Sequence, residues 1–208
     1  EDYLHNNSSL SARQLTVDSN SKLTIQDNLL VVSENITITG TNDEIRLAGT
    51  RSQLITIHSK NSEISGNGKL YIDQNSTTPS TYRYNYFSSP VTTVGQNTFT
   101  IASVMKDGSF PTSADSNPLD ITFTNEMDGD YTTSPITISD YWIYSYGSSS
   151  DWVQTRKDGI LNPADGFTLK GPGQEQNYTF VGTPNDGVTS ISIGANQSYL
   201  VGNPFPSA

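Results

Sequence analysis

The sequence contains no cysteine, so disulfides and thiolate metal sites are excluded, although the compartment is left open. Positive charge is scarce too. Eleven Lys and Arg stand against 21 Asp and Glu, a formal net charge of −10. Such a surface repels nucleic acid and anionic membrane, and argues against both as partners. It suits calcium, neutral sugars or plain solubility. No stretch approaches the roughly 18 consecutive apolar residues of a membrane-spanning helix, so membrane insertion through one is not expected. Histidine is confined to His5 and His58, with no motif around either that would support a triad; HExxH, GxSxG and a phosphate-binding Gly loop are missing as well. The chain opens Glu1-Asp2-Tyr3 with no basic and apolar leader, as expected of a mature exported form.

Long runs of the helix formers Ala, Leu, Lys and Glu are also missing, which argues against helices. Hydrophobic residues make up 33% and charged residues only 15% of the chain, too little charge for a disordered acidic polymer. The balance is Ser, Thr, Asn, Gln and Gly, which suits thin β-layers joined by turns. The expected class is all-β.

Residues 1–12 are polar, with little pattern, and are read as a ragged N-terminal arm, disordered or pairing with a neighbour. From Leu15 a repeat begins: Leu15/Val17, Leu23/Ile25, Leu29/Val31, Ile36/Ile38, Ile45/Leu47, Ile55/Ile57, an isolated Ile64, and Leu70/Ile72. Members of a pair sit two apart and share one face of a short strand. Every third pair recurs after roughly 20 to 25 residues, with turn formers such as Gly40-Thr41-Asn42-Asp43 between. A β-solenoid-like domain over 13–78, with three strands per rung, fits this spacing; a sandwich of short strands also fits, and the solenoid is favoured.

Residues 79–208 carry both Trp and most of the Tyr and Phe. In Tyr82–Val91, Tyr82, Tyr84 and Tyr86 alternate with Arg83, Asn85 and Phe87, the period-two pattern of a strand with unlike faces. Further candidate strands include Thr98–Val104, Trp142–Tyr146, Gly166–Lys170, Asn177–Gly182, Val188–Ile193 and Tyr199–Gly202. Their spacing and breakers predict an antiparallel β-sandwich.

Three chemistries are open to these residues. Flat rings with polar edges stack on sugars, and Trp142, Tyr144, Tyr146 and Trp152 are the candidate platform, with core packing as the alternative use. Glu126, Asp128 and Asp130 surround Gly129 as hard-cation loops do, so calcium is the one candidate ion, though a simple turn explains the same residues. Paired carboxylates among Glu126, Asp128, Asp130, Asp158 and Asp165 would be needed for glycoside hydrolysis, but most adjoin turn residues. No catalytic residue is assigned, and the chain is read as a non-enzyme.

Five blocks occur in order over the second half: YNYFSSPV (Tyr84–Val91), Tyr141-Trp142-Ile143-Tyr144 followed by Asp151-Trp152, NPADGFTLKGPG (Asn162–Gly173), QNYTFVGTPNDG (Gln176–Gly187) and YLVGNPFPSA (Tyr199–Ala208). With them residues 82–208 resemble a region of large secreted and surface proteins of Bacteroidetes, especially flavobacteria. The resemblance implies export, in many such proteins through the type IX secretion system, and a role in surface adhesion or scaffolding. Members of that group run on past the position of Ala208, so a fragment or processed product with an open edge strand is expected. The expected function is a non-catalytic extracellular structural or adhesive module of a bacterial cell surface, self-assembling into fibres by strand addition. The alternative is a carbohydrate-binding module of a polysaccharide-degrading protein, with surface polysaccharide as partner.

Overall fold

The computed structural model describes residues 1–57, 63–76, 78–108, 110, 112–147 and 151–207. It is nearly all β. Apolar residues two apart make short strands with one buried face, and the chain lays these down in successive passes. The first pass is β1 (Tyr3–His5), β2 (Leu10–Ala12) and β3 (Leu15–Val17); the second is β4 (Lys22–Gln26), β5 (Leu29–Val32) and β6 (Ile36–Ile38). The third is β7 (Glu44–Ala48), β8 (Gln53–Thr56) and β9 (Ile64–Gly66), and β10 (Lys69–Asn75) follows. Strands pair in parallel with their counterparts in the next pass, as β1–β4–β7–β10, β2–β5–β8 and β3–β6–β9.

Parallel register brings like side chains over like. Leu23, Ile45 and Leu70 align, as do Ile25, Leu47 and Ile72, and all six are buried. Each such side chain contributes about 1.5–3 kcal/mol by leaving water. Gly66 is required where β9 pairs with β6 opposite Ile38: its φ is +102°, and a Cβ there would lie 2.0 Å from the Ile38 carbonyl oxygen.

Residues 1–12 are therefore not the disordered lead-in expected of them, because the polar strands β1 and β2 complete ladders begun by β4 and β5. Two apolar pairs are also shifted in phase. In β5 the buried residues are Leu30 and Val32, not Leu29 and Val31; in β8 Leu54 is buried while Ile57 is exposed. His58 lies outside the described residues.

The second half contributes β11 (Tyr84–Phe87), β12 (Val91–Thr92), α1 (Ile101–Val104), β13 (Met105–Asp107), β14 (Leu119–Asp120), β15 (Thr122–Thr124) and β16 (Thr137–Ser139). After a 3-10 turn at Asp140–Trp142 come β17 (Tyr144–Tyr146), β18 (Trp152–Gln154), β19 (Phe167–Lys170) and β20 (Asn177–Pro184). Strand β20 joins the sheet of the first half, antiparallel to β10 from Leu70↔Gly182 to Asn75↔Asn177, with β13 on its other side. The segment expected as a strand at Thr98–Val104 instead turns into α1, because Thr100 and Ser103 form a reciprocal capping box. Val188–Ile193 forms no strand, and of Tyr199–Gly202 only Val201 makes a bridge, to Asp165.

Aromatic rings fill the interior between β20 and the sheet containing β11 and β19. Phe87 packs 5.6 Å from Tyr178 and 6.0 Å from Phe167, centroid to centroid, and Phe99 lies 6.3 Å from Phe167. Aliphatic and aromatic interiors form one contiguous cluster.

The two halves also share a buried ion pair on the outer face of β7 and β10. Arg46 Nη2 donates to both Asp73 oxygens, at 2.8 and 3.1 Å, and to Ser116 Oγ at 3.1 Å. Asp73 accepts further bonds from Thr179 Oγ1 of β20 and from Gly49 N. Satisfaction is uneven: the Asp73 carboxylate is well supplied with donors, while Arg46 Nε and Nη1 are buried with no partner among the described residues, a cost the ion pair must offset.

Candidate functional site

The site is built on the outer face of a sheet ordered β11–β19–β17–β18. Alternation decides which rings reach it. Asn85, Phe167 and Leu169 are buried, and Phe87 packs on the core. Their neighbours Tyr84, Tyr86, Thr168 and Lys170 must then face outward. Across the sheet Tyr84 stands opposite Lys170 and Tyr86 opposite Thr168; Tyr144 stands opposite Gln154 and Tyr146 opposite Trp152.

Thr168 is the low point between taller neighbours. Its hydroxyl accepts from Tyr144 N at 3.1 Å and donates to the Trp142 carbonyl at 2.9 Å, so it bridges β19 to β17 and adds no height. Above it lies a hollow of about 250 Å³ walled by Tyr84, Tyr86, Tyr144 and Trp152. A second hollow, of about 380 Å³, shares Tyr86 and Trp152 and continues to Tyr146, Ser198, Tyr199 and Leu200. Tyr86 is 61% and Trp152 52% exposed, so these rings are available to a ligand. Trp152 stands edge-on to Tyr146 at 5.1 Å. The far wall is pinned: Tyr199 OH donates to Asp165 Oδ1 at 2.8 Å, and Leu200 N to the Tyr146 carbonyl at 2.8 Å.

Of the platform expected from sequence, Tyr144, Tyr146 and Trp152 line this trough. Trp142 does not. Its indole N–H donates to the Met127 carbonyl at 2.6 Å, and the Lys170 ammonium lies 3.3 Å from its ring centre, a cation–π contact that occupies one face. The same ammonium is 5.2 Å from the Tyr84 ring. Burial pulls the Lys170 pKa down, with Asp128 opposing the change. Burial likewise pushes Tyr84 up, helped by the phenols of Tyr144, Tyr86 and Tyr141, so Tyr84 stays a neutral hydroxyl at any physiological pH.

Tyr84, Tyr86 and Thr168 were missed as site residues. The alternation of Tyr82, Tyr84 and Tyr86 carried the signal for two of them, since three Tyr on one face of a strand exceed what a core takes. Nothing in the sequence marked Thr168.

The proposed ion loop is occupied with local structure. Asp130 Oδ1 accepts from Thr132 N at 2.8 Å and Thr132 Oγ1 at 2.7 Å, which holds its carboxyl below the usual range. Glu126 and Asp128 are exposed. Among the described residues no three His, Cys, Asp or Glu side chains gather as a metal site. The remaining carboxylates considered for hydrolysis have other partners: Asp158 pairs with Lys157 at 2.6 Å, and Asp165 accepts from Asn162 N at 2.7 Å as well as from Tyr199. His5 lies in β1, with Ser8 Oγ 3.4 Å from Nε2.

Compared with protein-family models, curated proteins and solved structures, the chain matches none.

Proposed function

We propose that the chain is a non-catalytic glycan-binding module acting outside the cell, with the ring-lined trough on β11–β19–β17–β18 as its contact surface. The observation that carries this reading is the exposure of Tyr86 and Trp152 on either side of a shallow floor at Thr168. A ring needed only for packing would be buried. A ring held in water beside other rings offers an apolar face to the C–H side of a sugar and a hydroxyl or N–H edge to its polar groups.

In this reading the parallel ladders are a short β-solenoid that serves as a spacer, and the second half carries the binding face as a sandwich-like layer against β20. The resemblance to flavobacterial surface proteins implies export and surface adhesion or scaffolding, with which a glycan-binding face is compatible. A fibre in which residues 1–12 pair with a neighbour is the weaker reading, because β1 and β2 already pair with β4 and β5 of their own chain.

Native gels cast with soluble polysaccharides test the proposal. Retardation by at least one neutral polysaccharide is expected, and Trp152→Ala should weaken it by about tenfold, the loss of one stacking ring. Unchanged mobility in gels of glucan, xylan, mannan and galactomannan would reject the reading.

A further inference from the structure

We infer that the trough takes several consecutive rings of an uncharged polysaccharide, and that it is not a pocket for a single sugar. This rests on the glycan-binding reading above and adds the length and charge of the ligand. Length follows from how the floor is made. The outward positions of β19 are Lys170 and Thr168, and Gly166 continues the series just before the strand. Gly166 N donates to the Leu200 carbonyl at 2.9 Å, and a Cβ on Gly166 would lie 2.6 Å from Leu200 Cγ. The floor is thus Thr168 under the first hollow and Leu200, lying over Gly166, under the second, so the two hollows follow one another along β19. Tyr84 and Tyr86 rise on one side of it; Tyr144, Tyr146 and Trp152 rise on the other. The two hollows meet at Tyr86 and Trp152, which wall both. A monosaccharide would leave one hollow filled with water, whereas a chain of sugars laid along β19 covers both.

Charge follows from the lining. Among the described residues, no Asp, Glu, Lys or Arg lines either hollow. The Lys170 ammonium lies against the faces of Trp142 and Tyr84, and so is poorly placed to pair with a uronate. The chain as a whole carries a formal charge of −10, which repels uronate and sulfate polymers on approach.

Calorimetry on the intact chain tests both points, with cello- and laminari-oligosaccharides from monomer to hexamer and with polygalacturonate as the acidic probe. In the series that binds, affinity should climb at least about tenfold from dimer to hexamer as further rings are covered. Tyr84→Ala, at the Lys170 end of the trough, should weaken the hexamer several-fold, with an unaltered melting temperature as the check on folding. Equal affinity for dimer and hexamer overturns the inference while leaving the glycan-binding reading intact. So does binding of polygalacturonate as tight as that of the best neutral oligomer. Silence from every oligosaccharide, when a neutral polysaccharide retards the chain in a gel, overturns the claim that a few consecutive rings suffice; silence in both assays removes the glycan-binding reading itself.

Discussion

Residues 3–75 and residues 84–184 bury sheet faces by different means. The first region repeats one solution, in which a short strand contributes one or two aliphatics stacked in parallel register on those of the pass before. The second region is closed by rings from distant segments: Phe87, Phe99, Phe167, Tyr178 and Phe180. With Phe87 and Tyr178 filling that interior, Tyr84 and Tyr86 of β11 are left on the opposite face. Phe has no polar edge to satisfy, while Tyr and Trp have one that water or a ligand can meet. The comparison teaches that rings gather on an outer face where a strand carries more aromatic surface than its core uses.

Changes that attack what holds the two regions together should have the largest effect. Arg46→Ala leaves the Asp73 carboxyl buried without its cation, and is expected to cost about 3–5 kcal/mol in urea unfolding. Replacing Arg46 by Met and Asp73 by Leu together should cost less than the single change, because no buried carboxyl is stranded. Leu47→Ala, within the stacked aliphatics, should cost about 2–5 kcal/mol through lost burial and the cavity left. Trp152→Ala should sharpen the contrast, with stability within about 0.5 kcal/mol of the parent and sugar affinity greatly reduced.

The smallest effect concerns pH. Asp107 accepts from Ile136 N at 2.9 Å and Gln176 Nε2 at 2.7 Å, yet burial outweighs those bonds and raises its pKa. A carboxyl whose folded pKa is raised favours the folded state below its unfolded value, about 3.9. That contribution is lost as pH climbs through the folded pKa. Asp107→Asn does not titrate, so its stability relative to the parent should improve from about pH 4 towards neutrality. Urea midpoints at the two pH values measure this; a constant difference would show that burial does not govern Asp107.

The stacked region was the more legible half, because Leu23/Ile25, Ile45/Leu47 and Leu70/Ile72 each state their own phase. Leu29–Val32 has four apolar residues in a row and states none. Its phase is fixed by neighbours, and one residue of slip exchanges the faces. Tyr3–His5 lacks any apolar alternation and becomes a strand because β4 offers it an edge. In the second half, Thr100 and Ser103 overrode the strand propensity around them by capping a helix. That Tyr144 and Tyr146 share one face was legible from alternation, but the placing of Tyr84 and Tyr86, and not Trp142, beside them in the trough was not. That placing depends on Lys170 crossing to the Trp142 ring from another strand, a contact that spacing along the chain does not encode.

Both tryptophans of the chain stand at this one sheet, Trp152 in the trough wall on β18 and Trp142 in the 3-10 turn that leads into β17, under the Lys170 ammonium. Intrinsic fluorescence is therefore a local optical signal from the ring-bearing sheet. A ligand that dries Trp152 should move its emission to the blue without any label. In Trp152→Phe the remaining emission would report only the indole–ammonium contact. The arrangement that exposes a ring to a partner also makes its occupancy visible.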